Sequence, residues 1–383
     1  MDRIRDKVQC NPTVKLTKGE MYPFVGIDRI TSGNRDIAIA NKEVYSGQSC
    51  SKFCKGDTIM ARITPCLENG KIAQYNLDSE IAMGSTELFV FREMENISDK
   101  DYIYYLISTD YVRNNAVNSM TGASGRQRAD IKFIGKLKWN FPEYDVQCKI
   151  GKILSTYDDL IEKNNRKIEI LQDMAEELYK EWFVRFRFPG HETAKFTEGF
   201  PEGWQVKSLN DVCQITTGNK DANQATGEGM YPFFTCARET TLTTDEYILD
   251  TNAILVSGNG SYTGFVKKYS GKFDLYQRTY ALYDFNDIDW LYLYWVMKTD
   301  FEPKHMGGTN GAAIPYITKP VLQRYKLLVP TVDLLDKAGK IFSYCHEQCN
   351  LLEKQNINLK QQRDLLLPRL MSGKLEVKVK QEV

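Results

Sequence analysis

Arginine and lysine match the acceptors on guanine's major-groove edge. Asparagine and glutamine match the paired donor and acceptor of adenine. Side chains of these types gather in glycine-rich stretches in both halves of this chain. In the first half, Gly122-Ala123-Ser124-Gly125-Arg126-Gln127-Arg128 forms a candidate reader loop, with Arg62 and Lys71 flanking an earlier glycine turn over 65–70. In the second, the corresponding choices are Asn259, Tyr262, Lys267, Lys268, Gln277, Arg278 and Asn310. Residues 113–138 carry six positive side chains and one negative, and residues 298–326 carry five and two. Either stretch alone reads as a solvated surface. Their recurrence at equivalent places favours two local basic faces on a chain whose net charge is zero. Any single member is more often a phosphate contact or a plain surface residue than a base reader.

Catalytic chemistry has little material. A methyltransferase needs a glycine-rich cofactor loop and an Asn/Asp-Pro-Pro-aromatic motif, and Asn11-Pro12-Thr13 is not one. Gly151-Lys152 and Gly271-Lys272 are followed by Ile and Phe, so neither makes a phosphate-cradling loop. Triplets such as Asp130-Ile131-Lys132 and Glu376-Val377-Lys378 are too common to imply a nuclease. The histidines are His191, His305 and His346 alone. Cys345-His346-x-x-Cys349 invites zinc but lacks a fourth ligand, and its thiols fall on an apolar helical seam. No catalytic and no metal site is expected. The charged opening Met1-Asp2-Arg3-Ile4-Arg5-Asp6-Lys7 is unlike a secretory signal, and the nine cysteines read as reduced cytoplasmic thiols.

The elements that must position these loops occur twice. Phe141-Pro142 leads to Ile150-Gly151-Lys152-Ile153-Leu154, and Val329-Pro330 leads, 188 residues later, to Ala338-Gly339-Lys340-Ile341-Phe342. Met21-Tyr22-Pro23-Phe24 recurs as Met230-Tyr231-Pro232-Phe233. A repeat of that length fits a duplicated domain rather than a solenoid unit. Short β-branched and aromatic runs at 58–61, 72–75 and 87–91 predict strands, and 101–112 predicts a helix. In the second half, 253–256 and 289–297 take the same roles, with the turn Gly258-Asn259-Gly260 between strands.

Each half ends in a rod. Ile150, Leu154, Tyr157, Ile161, Asn164, Ile168, Leu171, Ala175, Leu178 and Trp182 are spaced 4,3,4,3 without a break. Shifted by 188, the second seam reads Ala338, Phe342, Cys345, Cys349, Leu352, Asn356, Leu359, Arg363, Leu366 and Leu370. Such narrow seams favour a mutual coiled coil over two helices each packed on its own module. An antiparallel pair centred level with Arg166 sets Asn164 opposite Asn356, Leu154 opposite Leu366 and Tyr157 opposite Arg363. A buried amide pair would hold that register, because slippage strands unpaired amides in an apolar seam.

In these residues the chain resembles the specificity subunit of type I restriction–modification systems. The resemblance rests on the opener Pro201-Glu202-Gly203-Trp204 and on the run from Gln147 to Leu154 into a long helix. It also rests on Met174-Ala175-Glu176-Glu177-Leu178-Tyr179-Lys180-Glu181-Trp182-Phe183 and on Leu367-Pro368-Arg369-Leu370-Met371-Ser372-Gly373-Lys374-Leu375. It covers essentially the whole chain. It implies an α+β fold with two similar mixed α/β target-recognition domains separated by two long antiparallel coiled-coil helices. The expected divisions are 1–142 (first recognition domain), 143–187 (first helix), 188–330 (linker and second domain) and 331–383 (second helix and tail). The resemblance also implies that each domain reads one half of a split site in double-stranded DNA. The helices would dock two methyltransferase subunits, and motor-nuclease subunits would join that core. No cofactor is expected in this chain; S-adenosylmethionine belongs to the methyltransferase partner. One departure is that no Pro-Gly-Trp opener precedes the first module, which begins instead with Asn11-Pro12 and residues 19–24.

Two other readings compete. A protein-binding scaffold would use the rods for recruitment, and the duplicated basic glycine loops argue against it. The recognition part of a single-chain restriction enzyme would need catalytic motifs.

Overall fold

The computed structural model describes residues 1–37, 40–123, 125–225, 227–306 and 316–377. They fall into two units, Met1–Arg166 with Leu352–Val383, and Lys167–Leu351.

Both modules open in the same way. Asp2–Arg3 pairs antiparallel with Lys138–Trp139, and Gln205–Ser208 with Lys326–Val329. A single helical turn follows each, Ile4–Lys7 and Leu209–Val212. The Asp6 carboxylate accepts from the Arg3 backbone N–H at 3.2 Å, and Asp211 accepts from that of Ser208 at 2.8 Å. The first module therefore begins ahead of Asn11-Pro12, on residues too polar and too few to show a strand period.

In the second unit, Gln214–Thr217, Thr279–Tyr283, Leu249–Ser257, Val266–Leu275, Tyr231–Phe234 and Leu242–Thr244 form one six-stranded sheet in that order. In the first unit the same path is cut into two four-stranded sheets. One runs Val8–Cys10, Leu88–Glu93, Thr58–Ala61, Ile72–Gln74; the other runs Lys42–Val44, Met21–Val25, Ile81–Gly84, Ser51–Cys54. The long strands of the second unit become pairs of short ones because the chain turns at residues 55–57. There Gly56 has φ +91°, a conformation open to glycine at no steric cost. The Asp57 carboxylate accepts from the Cys54 N–H and from Arg92 through Nε at 2.7 Å and Nη2 at 2.6 Å. The repeated Tyr-Pro-Phe strands pair antiparallel on one side through Pro23 or Pro232 and parallel on the other only beyond it. A proline can stand there because its missing N–H faces no second strand.

The helix expected over 101–112 is broken. Lys100–Ser108 ends at Thr109, whose hydroxyl caps Asp110–Asn118 by accepting from the Val112 N–H at 3.4 Å. The matched helices carry matched caps: Asp99 accepts from the Tyr102 N–H at 2.9 Å and Asp289 from that of Tyr292 at 2.8 Å. Gly151 and Gly339 lie against these caps, so near that a Cβ would stand 2.5 Å from Asp99 Oδ1 or 2.9 Å from Asp289 Oδ2. The repeated glycine thus marks a close helix-to-cap approach.

The rods are the helices Tyr144–Tyr179, continued by a π-helical turn at Lys180–Val184, and Val332–Met371. In the first unit, Ile150 and Leu154 share one core with Tyr102, Leu106, Phe89 and Leu370. In the second, Ala175, Tyr179 and Phe183 share one with Tyr292, Trp295, Phe342 and Cys345. The alternatives posed for the seams are thus not exclusive: within each unit a helix packs on the module and on the other helix at once. A broader face is needed for both contacts, so the buried set drifts from the strict heptad. Asp158 is buried where Tyr157 was expected, and it is Asp158 that meets Arg363. Among the described residues, no helix is long and apolar enough to cross a membrane.

Candidate nucleic-acid interface

The candidate loops are fixed by one backbone lattice that occurs in both units. In the first, the Arg62 N–H donates to the Glu87 carbonyl at 2.9 Å, and the Ala129 N–H donates to the Arg62 carbonyl at 2.8 Å. In the second, the Gly258 N–H donates to the Arg278 carbonyl and the Ile317 N–H to the Gly258 carbonyl, both at 2.8 Å. Isolated β-bridges join Ile63 to Arg128 and Asn259 to Tyr316. Arg62, Glu87 and Arg128 in one module therefore stand where Gly258, Arg278 and Tyr316 stand in the other.

The side chains on this lattice differ. Arg128 Nη2 meets Glu87 Oε1 at 2.6 Å, and its Nε lies 3.0 Å from both carboxylate oxygens. Arg62 Nε donates to Glu87 Oε2 at 3.0 Å, with its guanidinium 5.7 Å from the centre of the Phe89 ring. These two arginines, Arg128 first, hold the Glu87 carboxyl below the usual carboxylate range. Backbone bonds between Thr121 and Arg128, and between Thr64 and Gln127, close the loop at 2.9–3.1 Å. Arg126 is exposed and has no ion pair among the described residues. Lys71 points back, its Nζ donating to the Ile27 carbonyl at 2.9 Å.

In the second module, Arg278 and Gln277 are exposed; Gln277 Nε2 donates to the Asp221 carboxylate. Asn259 forms the bridge to Tyr316, and Tyr262 lies beside Phe265 with ring centres 6.2 Å apart. Lys267 is tied to the Ala237 carbonyl at 2.7 Å and lies over the Phe234 and Phe265 rings; burial lowers its pKa. Lys268, on the other face of the strand, lies 4.8 Å from the centre of the Tyr294 ring. Lys267 and Lys268 are thus held by the module rather than gathered with Arg278. Asn310 lies outside the described residues.

The two register residues meet: Asn164 Nδ2 donates to Asn356 Oδ1 at 2.9 Å, both side chains buried. A third amide joins them, because Asn356 Nδ2 donates to Asn165 Oδ1 at 2.8 Å. Cys345 and Cys349 are buried on the second helix, and Cys349 Sγ faces the Ile168 carbonyl at 3.9 Å. Glu87 and Tyr316 are the members of the lattice that sequence reasoning missed. An acid amid basic loops carries the wrong sign for a nucleic-acid contact, and its partners stand 25 and 41 residues away.

The model of the type I restriction modification DNA specificity domain matches residues 7–172 and again 201–361. The chain belongs to that family. The specificity subunit of the type I restriction enzyme EcoDI of Escherichia coli is 33% identical over 179 residues, 46% of this chain and 39% of that protein. The MjaVIII specificity subunit of Methanocaldococcus jannaschii is 22% identical over 386 residues, covering 93% of this chain and 87% of that one. The crystal structure of a type I restriction–modification S subunit from M. genitalium shares the fold, with a TM-score of 0.59 at 16% identity over 98% of this chain and 96% of that one. As a member of the DNA specificity family, the chain is a noncatalytic DNA-recognition protein. The two matched stretches each contain one copy of the backbone lattice.

Proposed function

We propose that this chain is the specificity subunit of a type I restriction–modification complex in the cytoplasm. Each module reads one half of a split site in double-stranded DNA. The helices dock two methyltransferase subunits, and motor-nuclease subunits join the assembly. S-adenosylmethionine is bound by the methyltransferase, and this chain contributes recognition alone. The observation that supports the reading best is the duplicated lattice of Arg62, Glu87 and Arg128 against Gly258, Arg278 and Tyr316. One backbone scaffold displays two different sets of hydrogen-bonding side chains, as two readers of two different half-sites require. Methylation mapping of the assembled complex should return two short specific blocks around an indifferent spacer. Exchanging residues 201–330 for those of a relative should rewrite one block only. A single continuous recognition sequence, or a swap that rewrites both blocks, would overturn the reading.

A further inference from the structure

The lattice of the first module holds more than a basic patch. Glu87 stands between two arginines, its carboxylate accepting from Arg128 at 2.6 and 3.0 Å and from Arg62 at 3.0 Å. These contacts occupy both oxygens, so the carboxylate has little capacity left for a ligand. The guanidinium of Arg128 is in the opposite condition. Its side chain is 44% exposed, and Glu87 engages Nε and Nη2 only. Nη1 and the remaining Nη2 proton form a planar fork aimed away from the carboxylate, the geometry that pairs with guanine O6 and N7. A phosphate contact needs no such arrangement, since a neighbouring carboxylate weakens attraction to any anion. Arg62, lying against the Phe89 ring, holds the far oxygen of Glu87.

We propose that Glu87 is a positioning residue that makes Arg128 a preorganised guanine reader in the first half-site. Arg62 serves as the second arm of the clamp. This rests on the split-site reading above. The second module is built without the clamp. A Cβ at Gly258, the position of Arg62, would lie 2.4 Å from the Arg278 carbonyl, so no side chain can stand there without backbone movement. Arg278 takes the place of Glu87 and has no ion pair among the described residues, while Tyr316 takes that of Arg128 and is 72% exposed. The two half-sites are therefore read by different chemistry at one shared position.

The test is selection of random DNA duplexes by the full chain co-purified with its methyltransferase subunit, comparing wild type, Glu87→Gln and Arg128→Ala. Circular dichroism and thermal unfolding confirm that each variant is folded. Both variants should lose preference for one guanine in the first block, by on the order of tenfold. The second block should be unchanged, and so should the slope of affinity against salt. Glu87→Gln acting alone on selectivity is the outcome a merely structural or phosphate role would not produce. If Arg128→Ala changes the base preference while Glu87→Gln does not, the positioning role falls. If either variant weakens all sequences equally, or the salt slope falls by about one, Arg128 is a phosphate contact and the proposal fails. A wild-type complex that selects no split sequence would instead refute the functional reading beneath it.

Discussion

Residues 158 and 346 stand 188 apart, at matched places on the two helices, and they hold their modules by opposite means. Asp158 is buried and accepts from Arg363 and from the Tyr105 hydroxyl. Around it, Arg35 reaches Asp159 at 2.6 Å and the Ser155 carbonyl at 3.4 Å, and Arg363 reaches the Gly33 carbonyl at 3.3 Å. Burial and the Asp158 carboxylate push the Tyr105 hydroxyl far above its usual pKa, so it acts as a donor. His346 instead sets its ring 5.2 Å from that of Trp290, in a unit centred on Tyr179, Phe183, Trp204 and Tyr292. The Phe183 and Tyr292 rings meet edge-on at 4.7 Å. A charged network is satisfied in one geometry or not at all, whereas an aromatic cluster yields by degrees. One fold thus tolerates either fastening, with different responses to damage.

The sharpest break should come at Arg363. Arg363→Met leaves a buried carboxylate unpaired and should cost the first unit about 3–5 kcal/mol, read as a shifted urea transition. Adding Asp158→Leu together with Tyr105→Phe should recover most of it, since the orphaned charge is gone and no buried hydroxyl is left without its acceptor. The aromatic counterpart Phe183→Met should cost the second unit only about 1–2 kcal/mol. Equal losses from the two single changes would erase the distinction between the fastenings.

A smaller effect is expected at the amide layer. Asn164→Leu should cost about 1–3 kcal/mol because Asn356 loses a buried partner. The Asn165 amide that accepts from Asn356 softens the loss toward the lower figure. A double-mutant cycle between positions 164 and 356 should give coupling above about 0.5 kcal/mol. Additive single changes would remove any role for the pair in register.

The two helix glycines compare the modules more finely. Alanine normally gains about 1 kcal/mol over glycine in a helix. At Gly151 that gain is opposed by Asp99 Oδ1 at 2.5 Å and the Tyr102 backbone nitrogen at 3.0 Å; at Gly339 the nearest atoms all belong to the Asp289 side chain. Gly151→Ala should lower the melting temperature, while Gly339→Ala should leave it nearly unchanged. The reverse order would show that the second cap is the tighter.

The mildest difference is in pH response. Burial lowers the pKa of His346 from 6.5 to about 4. Between those values the unfolded chain binds a proton that the folded chain does not, so this contribution is fully present above about 6.5 and is lost as pH falls to about 4. Unfolding of the second unit followed across that window should show a slope that His346→Gln flattens. An unchanged slope in the variant would assign the pH dependence elsewhere.

Much of this architecture was legible in local patterns. The 188-residue repeat, the Tyr-Pro-Phe strands and the seam spacing are short-range features, set by periodicity and by what proline and glycine permit. The amide pair was legible too, because two polar misfits in otherwise apolar seams leave few registers that satisfy both. The candidate loops could be marked out as segments but not resolved into members. Lys71, Lys267 and Lys268 carry the right charge, yet each is engaged by a carbonyl or an aromatic ring of its own module.

Tertiary structure decided what depends on groups distant in the chain. The cut from one six-stranded sheet to two four-stranded ones follows from Gly56 together with the Asp57–Arg92 pair, whose members are 35 residues apart. The exchange of Tyr157 for Asp158 in the buried layer follows from packing each helix against two neighbours at once. The clamp at Glu87 exists only because two strand ends and an isolated bridge bring residues 62, 87 and 128 onto one hydrogen-bond lattice. Periodicity reports which face of an element is buried; it carries no information on which distant side chain will be waiting there.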